Sequence, residues 1–265
     1  PYMLSLDYSP GYRARRIYDR LAELKKATPD EMAAVHAEKV SIPATVYCRL
    51  LADVPDRNER FAESRLMLTC WNGSMERDRI EPTIYSTMRL NLNRRLAEHC
   101  LGPLSAEAMD AAGRGIPAHL RQLEALFVAH AAADDRSLLP EGDTWSTVTA
   151  RALSNSVASL SERLGHDMDQ WQWGKVHIAR PKHNLSAAFP NLAKLLDPPA
   201  IPTSGDGDTP LQGGYSSSNL ATVTSLSVAR YSYDPSDWEN SLWAVPLGSS
   251  GHPGSPHYAD QSEIW

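Results

Sequence analysis

The chain has 265 residues, 42% of them apolar, and a formal charge of −6 at neutral pH. That length can bury a substantial core in one or two units. The acidic balance and the lack of a long apolar run argue against nucleic acid, an anionic membrane or a bilayer span. Residues 1–10 read as an extended entry in which Tyr2, Leu4 and Leu6 alternate with polar neighbours. Residues 11–26 predict a helix with Ile17, Leu21 and Leu24 as an apolar stripe, and Arg13, Arg15, Arg16 and Arg20 lying mostly away from it. Thr28-Pro29-Asp30-Glu31 opens a second helix with a capping box and proline at its first position. Further helices are expected at 44–54 and 58–70. A long one over 76–99 carries Ile80, Ile84, Met88 and Leu92 at intervals of four, and Pro82 kinks its start or moves it later. Residues 116–133 and 144–164 complete a helical part of roughly 165 residues, more in one block than mixed folds usually hold.

After Asp167 the texture changes. Residues 171–178 alternate and read as a strand, 197–215 are rich in Pro, Gly and Asp and read as long turns, and 222–233 and 242–245 read as strands. Helices followed by strands make an α+β pattern rather than a wound α/β sheet. The chain divides accordingly into a mainly helical part, 1–165, and a β-rich part, 166–265. Cys48, Cys70 and Cys100 are widely spaced within helix-like segments and read as buried free thiols, not a disulfide or zinc site. No signal peptide stands at Pro1 and the first methionine is Met3, so the chain is expected to begin within a longer polypeptide or after processing.

Four stretches carry a resemblance. Near the end, Gly248-Ser249-Ser250-Gly251-His252-Pro253-Gly254-Ser255-Pro256 runs into His257-Tyr258-Ala259-Asp260, a loop whose path depends on Gly and Pro dihedrals. Upstream lie Gly11-Tyr12-Arg13-Ala14-Arg15-Arg16-Ile17, Trp173-Gly174-Lys175-Val176-His177 with residues 180–186, and Gly205-Asp206-Gly207-Asp208-Thr209. In this order and spanning nearly the whole chain, they resemble the penicillin acylase family of N-terminal-nucleophile (Ntn) hydrolases. The sequence departs from the family's pattern at Thr69-Cys70-Trp71-Asn72-Gly73, and Asn184 stands where the family has Pro.

The resemblance implies a four-layer αββα sandwich, of which this chain is the C-terminal portion of the larger, β subunit. It implies hydrolysis of a small molecule's side-chain amide by the subunit's N-terminal Ser. That residue's own α-amine is the base, with a pKa of about 8, and the oxyanion is held by backbone N–H groups and an Asn. Neither nucleophile nor Asn is expected in this chain. The Gly-Ser steps at Gly73-Ser74, Gly248-Ser249 and Gly254-Ser255 lie too late for a complete subunit, and residues 248–251 do not make a Gly-x-Ser-x-Gly elbow. Arg13 is the residue expected to support the site, a permanent cation that helps hold that Asn; a solvated helix face is the alternative. His177, His183 and His257 are expected to be structural, and no acid lies within 224–231 to support a cephalosporin-type variant. Asp206 and Asp208 suggest a tight turn rather than an EF-hand. No catalytic cofactor is implied, and a structural calcium would draw mostly on residues outside this chain. The expected partners are a smaller α subunit, the upstream part of the β subunit and an amide substrate, in the periplasm or outside the cell. A non-catalytic scaffold subunit is the alternative.

Overall fold

The computed structural model describes residues 8–109, 118–216 and 219–265. The expected extended entry therefore lies largely outside the described residues. The helical part contains α1 (Tyr12–Glu23), α2 (Pro29–His36), α3 (Ile42–Arg49), α4 (Glu59–Cys70), α5 (Glu81–Leu101), α6 (Ser105–Met109), α7 (Ala118–Ala132) and α8 (Trp145–Leu164). Local chemistry sets several of these ends. Thr28 Oγ1 accepts from the Glu31 amide at 3.2 Å while Glu31 Oε2 accepts from the Thr28 amide at 2.8 Å, the reciprocal pair of a capping box. Asn58 Oδ1 caps α4 through the Phe61 amide, and Thr144 caps α8 through Thr147.

The core is built on α5, which begins at Glu81 with Pro82 in its first turn, where proline's missing N–H costs nothing. Ile84, Met88 and Leu92 of the expected stripe are buried and Leu96 continues it, while Ile80 stands at the N-cap, partly buried against the core; Tyr85, Arg89 and Asn93 beside them are buried too. α8 packs along α5, bringing Trp145, Leu153 and Leu160 into the same core.

The strand expected at 171–178 is instead a short helix, α9 (Trp173–Val176), after a 3-10 turn. The reason is tertiary. The Trp173 and Gly174 amides, free at a helix start, donate to the carbonyls of Arg79 and Arg77 at 2.8 and 2.6 Å. Trp171 and Trp173 are both buried in the main core. Helix α10 spans Ala193–Leu196. Strands β1 (Ile178–Ala179), β2 (Ile201–Pro202), β3 (Gly213–Ser216) and β4 (Asn219–Leu226) form a sheet in the order β2-β1-β4-β3, with β1 parallel to β4 and the other pairs antiparallel. The single strand expected at 222–233 is broken. Its second half is β5 (Arg230–Ser232), which leaves the first sheet and pairs with β6 (Leu242–Ala244). Trp265 intervenes at the break: its Nε1 donates to the Ser227 carbonyl at 2.8 Å. The mixture of helices and small sheets is an α+β arrangement. Among the described residues no helix is long and apolar enough to cross a membrane. The three cysteines are free, but only Cys48 is buried, which pushes its thiol pKa up; Cys70 and Cys100 are exposed, contrary to expectation.

Candidate functional site

Helix α1, which carries Arg13, sits against the body with its polar side inward. Ile17 is 38% exposed, Leu21 41% and Tyr18 71%, and no residue of the helix is fully buried. The inward side carries Tyr12, which packs against the core, and the half-buried Arg13, Arg16 and Arg20. Amphipathicity alone predicts the reverse, since an apolar stripe normally faces the core. Here Glu38 draws the arginines in: Arg16 Nη2 lies 3.2 Å from Glu38 Oε1 and Arg20 Nε 3.3 Å from Oε2. Arg15 pairs with Asp19 on the exposed side. Arg13 makes no hydrogen bond or ion pair among the described residues.

Beneath α1 lies a charged cluster that sequence reasoning did not single out. Arg89 Nη1 donates to Asp208 Oδ2 at 2.6 Å, and Nη2 stands 3.6 Å from Glu124 Oε2. Arg89 is 7% exposed, and it ties α5 to α7 and to the 203–212 turn. Burial, followed by the influence of Arg89, Asp208 and Glu124, leaves the Tyr12 hydroxyl with a pKa pushed up to about 12. A sequence signal existed: Tyr85, Arg89 and Asn93 repeat every four residues beside the apolar stripe of α5, so the helix is buried on more than one face.

The Gly205–Leu211 turn is as tight as its composition suggests. Asp206 Oδ1 accepts from the Asp208 amide at 2.8 Å, and Asp206 Oδ2 is buried with no hydrogen-bond partner among the described residues. Calcium takes six to eight oxygens. One of the two carboxylates is committed to Arg89, so Asp206 and Asp208 do not make a calcium site by themselves. Among the described residues no group of three or more His, Cys, Asp or Glu side chains could hold a metal ion.

The three histidines differ. His177 is buried, stacked on Trp173 at 4.2 Å, with Nδ1 3.2 Å from the Leu220 carbonyl and Nε2 3.0 Å from the Gly213 carbonyl. His183 Nδ1 accepts from the Leu185 amide at 3.2 Å. His257 is exposed and pairs with Asp260 at 2.8 Å. The Gly-Pro loop of 248–256 folds back on itself. A side chain at Gly248 would meet the His257 carbonyl oxygen at 2.2 Å, and Ser250 N donates to that same oxygen at 3.0 Å. Tyr258 then anchors the loop, its hydroxyl donating to the Leu196 carbonyl at 2.5 Å.

Two buried groups give stability opposing pH slopes. Burial lowers the His177 pKa to about 4, outweighing its two carbonyl neighbours. Stability from its neutral form is complete above the unfolded value of about 6.5 and is lost as pH falls toward 4. Burial, then the Asp208 charge, pushes Asp206 up to about 6. Its contribution is complete below the unfolded value of about 3.9 and is lost as pH rises through 6. Asp206→Asn is therefore expected to stabilise the protein at pH 7.5 by about 1–3 kcal/mol, and to give no gain at pH 4. Urea midpoints at the two pH values check this, and an equal shift at both would contradict it.

On the outer side, Tyr231, Tyr233, Trp238 and Trp243 form an exposed aromatic array, with Tyr231 stacked on Trp243 at 5.3 Å and on Tyr233 at 4.8 Å. A cavity of about 220 Å³ between α2 and the β5–β6 hairpin adjoins it, lined in part by His36, Tyr231 and Trp243. A wider groove of about 720 Å³ runs between Arg77, Gly174, Pro199 and the tail at Ser262. Arg13 lines neither.

A mixed α+β chain bearing these motifs matches the penicillin amidase family model over residues 1–265, and it belongs to that family. Along its whole length it is 33% identical to penicillin acylase 2 proenzyme of Pseudomonas sp. strain SE83, covering 33% of that protein. It is 23% identical, again along its whole length, to the acyl-homoserine lactone acylase QuiP of Pseudomonas syringae pv. tomato, covering 34% of it. With QuiP of Pseudomonas aeruginosa the identity is 28% over 49% of this chain and 17% of the relative. The chain thus spans about a third of the length of the two relatives it matches end to end.

Proposed function

We propose that this chain is one part of a self-processed Ntn amidohydrolase that cleaves the acyl side-chain amide of a small molecule such as a β-lactam, an acyl-homoserine lactone or a lipopeptide. The nucleophile is the N-terminal Ser of the larger subunit and lies outside residues 1–265, with its α-amine as base and an Asn in the oxyanion hole. Arg13 supports that site as a permanent cation beside the oxyanion Asn. The helical part, 1–165, supplies a wall of the acyl pocket. The β-rich part, 166–265, continues sheets begun upstream in a four-layer αββα sandwich. The other partners are the smaller α subunit and the upstream β-subunit segment, in an exported protein. Any structural calcium draws on ligands from those parts.

The observation that carries this reading is the orientation of α1. A helix with its apolar stripe outward is stable when another surface covers that stripe, and the exposed Ile17, Tyr18 and Leu21 fit cover by the rest of a protein three times this length. The exposed aromatic array favours the same assembly, and equally a non-catalytic scaffold. N-terminal sequencing and intact mass of the native protein, denatured to separate its chains, distinguish the two. The amidase reading expects a chain that begins with Ser and contains residues 1–265 internally. A mature chain beginning at Pro1, with no companion that starts with Ser, would leave the scaffold role.

A further inference from the structure

Arg13, Arg16 and Arg20 stand at i, i+3 and i+7, within one face of α1. The latter two converge on Glu38, one on each carboxylate oxygen, at 3.2 and 3.3 Å. The Glu38 side chain is 11% exposed, and its own direction is fixed because Oε1 accepts from the Val40 amide at 2.9 Å. This clamp matters because, beyond Tyr12 packed against the core at the start of the helix, little else sets its roll. No α1 residue is fully buried, its apolar stripe faces outward, and the Arg15–Asp19 and Arg20–Glu23 pairs are internal to the helix. Arg13, one turn before the clamp, shares the face and makes no hydrogen bond or ion pair among the described residues.

We infer that Glu38 is the positioning residue for Arg13. It sets the roll of α1 so that the Arg13 guanidinium is delivered to the active site, and together with Glu23 on Arg20 it takes up the charge of Arg16 and Arg20 so that Arg13 is the cation left to act there. This rests on the active-site role proposed for Arg13. Without Glu38, Arg16 loses its acidic partner and Arg20 keeps only Glu23 within its own helix, so nothing ties this face to the body by charge and the helix turns or shifts. A misplacement of about 1 Å in a catalytic group costs on the order of a hundredfold in rate.

The test uses the full-length, processed protein in two measurements. In the first, arginine modification by phenylglyoxal is mapped by mass spectrometry. Arg16 and Arg20 are expected to be protected in the wild type and to become reactive in Glu38→Gln; unchanged protection overturns the clamp. The second is steady-state hydrolysis of the p-nitroanilides of phenylacetic and octanoic acid. Glu38→Gln is expected to lower kcat about tenfold to a hundredfold with KM within about threefold, and Glu38→Asp, which keeps the charge but cannot reach both arginines, to fall between. Arg13→Ala separates the two ideas. If it lowers kcat while Glu38→Gln does not, the positioning role is wrong. If Arg13→Ala leaves kcat unchanged, the premise about Arg13 fails and the inference goes with it, whatever the labelling shows about the clamp.

Discussion

Replacing Arg89 with methionine is expected to destabilise the protein by about 3–5 kcal/mol, the usual cost of removing one partner of a buried ion pair. Arg89 is nearly inaccessible, and its guanidinium is the cation between Asp208 at 2.6 Å and Glu124 at 3.6 Å. Methionine fills much of the same volume, so the loss measures the Asp208 carboxylate left without its cation rather than a cavity. The double variant Arg89→Met/Asp208→Leu is expected to lose less than Arg89→Met alone, because it removes that charge and apolar replacement of whole buried pairs is often tolerated. Urea unfolding of Arg89→Met, Asp208→Leu and the double variant decides it. A double variant that loses the sum of both single losses would mean that the pair acts through packing and not through charge.

Gly205→Ala should be nearly as damaging, on the order of 3–5 kcal/mol, by a different mechanism. Gly205 has φ of +77°, and a Cβ there would stand 1.9 Å from the Leu211 carbonyl oxygen and 2.9 Å from Thr209 Oγ1. The clash is with the turn's own backbone, so relief requires opening the turn. Opening breaks the 2.7 Å bond from the Gly205 amide to the Met75 carbonyl and the 3.1 Å bond from Trp173 Nε1 to the Gly205 carbonyl. It also draws Asp208 away from Arg89. The losses of Gly205→Ala and Arg89→Met should therefore be less than additive when combined, a coupling that a double-mutant cycle of unfolding free energies reads directly. Full additivity would show that the turn and the buried cation are independent.

The role proposed for Arg13 is legible only through its place in the Gly11–Ile17 motif; neither composition nor periodicity distinguishes it from Arg15, Arg16 and Arg20. Glu38 was not legible at all. It stands 18 residues beyond Arg20 in sequence, and its meaning is created by the packing of α1 on α2. Arg89 left a partial trace in the Tyr85, Arg89, Asn93 repeat, but its acidic partners come from α7 and from a turn well over a hundred residues away.

What the sequence determined by itself are features whose physics closes within a few residues. The Thr28–Glu31 box, the Asn58 and Thr144 caps and the Pro82 start each satisfy backbone groups locally. The stripe of α5 was readable because four apolar residues recur at the helical period. The tertiary structure alone decided which face of α1 turns inward, that the tryptophans of 171–178 end in helical turns, and that one expected strand splits between two sheets. In each of those places local preference is a fraction of a kcal/mol per residue. Glu38 clasping two arginines, amides reaching the Arg77 and Arg79 carbonyls, and Trp265 bonding to the Ser227 carbonyl outweigh it. Those partners are brought together only by the folded chain.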